Sequence, residues 1–403
     1  KNIKNSTIKN IKFDYDVNYE NIKIKWDGDS VDDTKDGKGI IAHKISNSEL
    51  SEIEILGNLS LENIEYSEKN IGGIAGVVQN STLENVKYSG GISLKTPKTG
   101  LKPDEEFIYN IGGLIGQCAD DCTITGANVQ SISVSGNEQS LIYIEHKLED
   151  NPKTKPKLQN VGGLIGYLRS IETTSEIFEI KNSNVYGQID VLTKMNVYHI
   201  GGQFGSIQTY YAKEDKYLAN ISDSEFTGCI MIGNLGSGAV GASTAFGIGG
   251  FAGSAQGSNM TNVHAMNPSN KCPYFGVVVN TSEIDKTSPD TESTEYYSAI
   301  KIGGLIGALS RGSISNSWTS MDLQLKGQSL NRIGGVLGAV WLGTIGNQEE
   351  ESKVTNIDPE TNGDTKLDIQ LNINEKQADL FAQSILKTIV EKDIFQRLNI
   401  TNK

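Results

Sequence analysis

Apolar positions along this chain follow two textures, and neither has a helical period before about residue 374. The first is alternation over a few residues, as in Val86-Lys87-Tyr88 and Ile53-Glu54-Ile55, which predicts short half-buried strands. The second is a compact phrase: a β-branched residue, two glycines, two mostly apolar residues and a third glycine. It predicts a strand buried on both sides, whose glycines allow close backbone approach or a bulge. The phrase occurs seven times. A unit repeated that often is architectural before it is anything else.

The copies are Ile71-Gly72-Gly73-Ile74-Ala75-Gly76, Ile111-Gly112-Gly113-Leu114-Ile115-Gly116, Val161-Gly162-Gly163-Leu164-Ile165-Gly166 and Ile200-Gly201-Gly202-Gln203-Phe204-Gly205. Ile248-Gly249-Gly250-Phe251-Ala252-Gly253, Ile302-Gly303-Gly304-Leu305-Ile306-Gly307 and Ile333-Gly334-Gly335-Val336-Leu337-Gly338 follow. A second phrase trails each one: apolar-x-Asn, then a small or apolar residue, x, apolar. It starts eleven residues after the first glycine at Leu83, Met260, Ile314 and Ile345. At Ile124, Ile180 and Ile221 small insertions stretch the offset to 12, 18 and 20. Copies without a clear glycine phrase begin at Ile8, Leu50 and Leu61.

The third position of the second phrase is Asn10, Asn63, Asn85, Asn182, Asn262, Asn316 and Asn347, with Glu52, Gly126 and Asp223 as departures. Asn, Asp and Gly tolerate positive φ, so this register predicts a tight corner. Stacked on its equivalents, the Asn predicts an amide ladder.

Short strands, fixed corners and a long period predict an all-β fold, a right-handed parallel β-helix over residues 1–350. The glycine phrases are spaced by 40, 50, 39, 48, 54 and 31 residues. That suggests two coils of about 20 residues per unit, about 16–18 coils, and a rod on the order of 80 Å at about 4.8 Å per coil. The spread lies in polar inserts at Thr96–Tyr109, Asn137–Leu158, Ser206–Lys216, Gly233–Gly247 and Asn267–Ser298, which are the expected partner-facing loops. Residues 351–403 change character. Asn374 heads an amphipathic stretch through Leu380, Phe381, Ile385, Leu386, Ile389 and Phe395, predicting a short helix that caps the last strand edge.

Composition narrows the partners. The 403 residues carry 44 Gly and only 8 Pro, which excludes collagen. A net charge of −13 argues against nucleic acid and anionic membrane surfaces. No apolar run is long enough to span a membrane. The start at Lys1-Asn2-Ile3 suggests an excised piece of something longer.

The segments Gly113-Leu114-Ile115-Gly116, Gly163-Leu164-Ile165-Gly166 and Gly304-Leu305-Ile306-Gly307, over roughly residues 40–348, resemble the GLUG-motif repeats of bacterial and some protist surface and secreted proteins. Such repeats occur in adhesin-like proteins and beside immunoglobulin-cleaving metalloproteases. The resemblance implies an extracellular, repetitive, non-catalytic stalk or adhesion region and transfers no catalytic residue.

The search for chemistry finds little. His43, His146, His199 and His264 form no His-Glu-x-x-His pattern and read as loop or strand-surface residues. Gly233-Asn234-Leu235-Gly236-Ser237-Gly238 lacks the Lys and helix of a phosphate loop. In Cys118-Ala119-Asp120-Asp121-Cys122 the gap suits a small disulfide, metal ligation and free thiols being the alternatives. Cys229 and Cys272 are a second candidate pair. Acidic stretches at Asp27–Gly37 and Asp358–Asp364 read as solvated turns, with calcium the weaker reading and no other cofactor implied. Tyr210-Tyr211 and Tyr296-Tyr297 are candidates to stack on sugars.

The expectation is therefore a protein that is not an enzyme. It would act outside the cell or on its surface as an adhesin or a structural stalk or filament component. Its partners would be a surface protein, a glycan or copies of itself. The alternative is a polysaccharide lyase or glycoside hydrolase on the same fold, which needs two carboxylates facing across a cleft.

Overall fold

The computed structural model describes residues 2–20, 37–62, 70–96, 110–134, 137–138, 140–146, 157–170, 177–209, 218–233, 242, 244–268, 276–281, 299–327, 330–341, 343–345, 348–350, 353–358, 367–371 and 398–402. Among them there is no helix. The strands pair almost entirely in parallel, an all-β arrangement consistent with a β-solenoid. The expected capping helix from Asn374, the acidic stretch from Asp27, both Tyr-Tyr pairs, Cys272 and most of the insert residues lie outside the described residues.

Each glycine phrase opens one coil. Asn70–Gly72 forms the first face, Ala75–Ser89 turns through two corners to form the second and its continuation, and Ile92–Thr96 forms the third. Gly72 pairs with Gly112, and Ile111 and Gly112 pair with Val161 and Gly162 in the next coil. Successive phrases are therefore direct neighbours. This corrects the expectation of two coils per unit: one three-faced coil takes about 31 residues, the shortest spacing, and inserts supply the rest. Among the described residues, eight strands stack in the glycine face, from Gly37–Lys38 to Leu330–Gly334. With the flanking coils the stack is on the order of 45 Å, not 80 Å.

The second phrase stacks as a column too, through Ile8, Leu50, Leu83, Ile124, Ile180, Ile221, Met260 and Ile314. Two assignments need correction. The partner of Ile314 is Val354, while Ile345 sits in an antiparallel hairpin, Gly343–Ile345 with Gln348–Glu350, inserted before the true copy. Leu61 belongs to the third face, where it pairs with Tyr19 and Leu94. The Val354 copy shows that strands after residue 350 continue the stack.

The corner register is where the sequence places it. Asn10, Glu52, Asn85, Gly126, Asn182, Asp223, Asn262 and Asn316 all have φ between 50° and 68°. Side-chain links run between coils here: Asn85 Nδ2 donates to Glu52 Oε1 at 2.7 Å and Asn262 Nδ2 to Asp223 Oδ1 at 2.8 Å. Serines reinforce the corners. Ser48 N donates to Ser81 Oγ and Ser183 N to Ser224 Oγ, while each of these hydroxyls donates to the carbonyl two residues back. Bonds of this kind satisfy the Ser48 and Ser183 backbone N–H groups at the corners.

The glycines are packing devices at contact distance. A Cβ on Gly163 would lie 2.2 Å from the Gly202 carbonyl oxygen, and one on Gly166 would lie 2.5 Å from the Ile111 nitrogen. Both obstacles are backbone. Inside, Ile74, Leu114, Leu164, Phe251 and Leu305 form one fully buried row. Gln203 interrupts that row, donating through Nε2 to the carbonyls of Ser183 (2.7 Å) and Glu225 (2.6 Å).

Candidate ligand groove

One mostly buried register departs from uniform packing. The residue before each glycine phrase forms a column: Asn70, Asn110, Asn160, His199, Gly247, Lys301 and Arg332. From Asn160 onward every member has φ between 56° and 68°. Asn110 Nδ2 donates to Asn70 Oδ1 at 2.7 Å, and Asn160 Nδ2 to Asn110 Oδ1 at 2.7 Å. His199 Nδ1 closes the run at 3.1 Å from Asn160 Oδ1. The amide oxygen can only accept, so Nδ1 carries the hydrogen of a neutral imidazole. Burial, then the Lys301 ammonium, push the His199 pKa down to about 4.

The ladder stops at Gly247. A Cβ there would stand 2.9 Å from His199 Cδ2, so the missing side chain leaves room for the imidazole. In the next coil Lys301 Nζ lies 4.2 Å from the centre of the Phe246 ring. Burial, then the charge of Arg332, lower the Lys301 pKa to about 8.

Across from this column runs a second row on the neighbouring face: Gln117, Tyr167, Ser206, Ser254 and Ala308, paired coil to coil. Side-chain size falls along it just where the ladder breaks. The small residues of this row, Ser206, Ser254 and Ala308, leave a groove of about 480 Å³ against Asn110, Asn160, His199 and Lys301, within the range of small-molecule sites, about 300–1,000 Å³. Tyr167 bounds it, donating its hydroxyl hydrogen to Gln208 Oε1, with the Arg169 guanidinium 5.6 Å from the Tyr167 ring. Gln117, 1% exposed, receives Asn110 Nδ2 on Oε1 at 3.5 Å, and its own Nε2 has no hydrogen-bond partner in the structure. No carboxylate is among the described residues lining the groove.

The other sequence candidates stay apart. His43 lies on the strand Ala42–Ser46, and His264 stacks on Trp318 with centroids 4.7 Å apart. His146 lies on the strand Ile142–His146. Cys118 and Cys122 flank a register shift of the strand Ile115–Thr125 and form a disulfide, their Cα atoms 6.4 Å apart, within the span of such a bond. Cys229 is buried. Reading His199 as a surface residue missed the groove. The signal was its place directly before Ile200-Gly201-Gly202, where three other copies carry Asn.

No family model and no solved structure match the chain. Among curated proteins it is similar to the Immunoglobulin A1 protease of Streptococcus sanguinis, 23% identical over 188 residues, 41% of this chain and 9% of that protein. The chain thus spans less than a tenth of that relative. The likeness corrects the expectation that the chain is not an enzyme, because the matched protein is named as one. Among the described residues no helix is long and apolar enough to cross a membrane.

Proposed function

We propose that this chain is an extracellular, right-handed β-helical segment of a larger protease-type protein, built from GLUG-like repeats, and that its groove grips a polar ligand for that protein. One observation carries the reading: amide, hydroxyl, imidazole and cationic groups converge where the ladder ends after His199 and the facing row shrinks to Ser206, Ser254 and Ala308. A rod serving only as a spacer has no need of that interruption. The likeness to an Immunoglobulin A1 protease supports both the extracellular setting and the tie to an enzyme.

The adhesin reading differs only in where the ligand resides, on a surface rather than on a substrate. Two-carboxylate glycoside hydrolysis is not favoured in this groove, whose described lining supplies no acid–base pair. The test is a combined glycan and peptide array with the wild-type chain and with Ser254→Phe, which puts a ring into the groove from its own wall. Ligands held by the wild type and lost by the variant support the reading. An identical pattern for both proteins overturns it.

A further inference from the structure

The geometry points to an acidic glycan, a short oligosaccharide bearing a carboxylate, as the groove's ligand, with Lys301 and Arg169 reading the charge and Gln117 reading a ring oxygen. This rests on the binding role proposed above and specifies its chemistry.

Three observations carry it. The first is charge. A chain with 49 acidic residues and a net charge of −13 places Lys301 and Arg169 around one groove, with no carboxylate among the described residues lining it. A neutral or cationic ligand gains nothing from that arrangement, whereas a carboxylate gains charge-assisted hydrogen bonds. The second is the surplus of donors. Gln117 Nε2 is buried without a partner, a desolvation cost that a ligand acceptor offsets. Ser206, Ser254 and Gln256 add groups matched to sugar hydroxyls.

The third observation separates glycan from peptide. Extended peptides bind sheets by adding a strand to an open edge. Here the flanking strands are already paired on both sides, Tyr198 between Gln159 and Phe246, and Ser206 between Tyr167 and Ser254. Recognition must come from side chains, and beside the amides and hydroxyls the rings of Tyr167 and Phe246, which carry Arg169 and Lys301 against them, give the lining an apolar part for the C–H groups of a pyranose ring.

The experiment is calorimetric titration of the full chain with trigalacturonic acid and 3′-sialyllactose, against galactotriose and lactose as neutral counterparts. Ser254→Phe, which fills the groove from its wall, and Lys301→Gln are titrated in parallel, and circular dichroism confirms their folding. The expected result is at least tenfold tighter binding of an acidic than of its neutral counterpart. That preference should fall to about twofold in Lys301→Gln, and all binding should vanish in Ser254→Phe. Equal binding of acidic and neutral sugars overturns the charge assignment and leaves the groove standing. No binding of any of the four sugars, with peptides on the array lost in Ser254→Phe, overturns the glycan assignment alone. Binding that Ser254→Phe leaves intact overturns the groove reading with it.

Discussion

Asn160 donates its side-chain amide to Asn110 across 50 residues of chain, at 2.7 Å, and accepts on its own oxygen from His199. Two coils are thereby tied by a side chain that also holds a left-handed backbone, φ 57°. Replacing Asn160 by Leu strands the Asn110 oxygen and the His199 N–H, at about 1–3 kcal/mol for each unsatisfied group. It also puts a branched side chain into the left-handed region, for about 1–2 kcal/mol more. Urea denaturation should show a fall of at least 2 kcal/mol. A change below 0.5 kcal/mol, roughly that of an average surface substitution, would mean that the ladder contributes nothing to stability.

His199 makes stability depend on acid. Its pKa is about 4 in the folded chain against 6.5 ordinarily, so between those values the unfolded chain binds a proton that the folded one refuses. The contribution is intact above pH 6.5 and is lost as pH falls toward 4, by up to about 3 kcal/mol. His199→Asn, which extends the ladder with the residue its neighbours use, should flatten that slope. Urea midpoints measured from pH 7.5 to 4 on both proteins check it, and parallel curves would refute the assignment.

How much of this was legible in the chain depends on which residues are considered. The corners at Asn85, Asn182 and Asn316 were readable because positive φ restricts residue choice at each coil separately. The coil length was not readable. Gly72 pairing with Gly112 is a relation between coils, and inserts of varying length hid the 31-residue repeat. Ile345 was misplaced because a hairpin sits at the expected offset, and offset counting cannot distinguish it from the Val354 copy. The groove was least visible. It arises from Ser206, Ser254 and Ala308, small residues whose meaning lies in what stands across from them.

The glycine phrase should be intolerant in a graded way. Gly163→Ala drives a Cβ into the Gly202 carbonyl at 2.2 Å and should cost more than about 3 kcal/mol or prevent folding. Gly312 lies outside the phrase, its nearest obstacles at 2.9 and 3.0 Å, one of them the Leu309 side chain. Gly312→Ala should be clearly milder. Soluble yield and thermal midpoint rank the two, and equal losses would contradict the contact geometry.

Corner residues separate strain from hydrogen bonding. Asn262 has φ 56° and donates to Asp223 at 2.8 Å. Asn262→Gly loses the bond and keeps the backbone relaxed, whereas Asn262→Ala loses the bond and adds strain of about 1–2 kcal/mol. The glycine variant should therefore be the more stable of the pair in urea titrations. The opposite order would show that glycine's unfolded-state entropy outweighs the left-handed penalty here.

Acidic-ligand binding should weaken with alkali. Lys301, facing Arg332, His199 and, across the groove, Arg169, loses its proton near pH 8 because burial and the Arg332 charge disfavour the ammonium. Affinity for trigalacturonic acid should be high at pH 6.5–7 and decline through pH 8–9, while galactotriose shows no such slope. A flat profile for both sugars would remove Lys301 from the binding site.

The column before the glycine phrase has an evolutionary consequence. From Asn160 onward its members share one left-handed backbone yet read Asn, His, Gly, Lys and Arg, so a coil can change its letter there without moving a strand. Because each coil supplies its letter independently, a single substitution can change the chemistry of one layer and leave the others as they were. Such a chain can relocate its specificity along its own length by point mutation, and a lineage of these rods would be expected to share a scaffold while disagreeing about where on it the ligand sits.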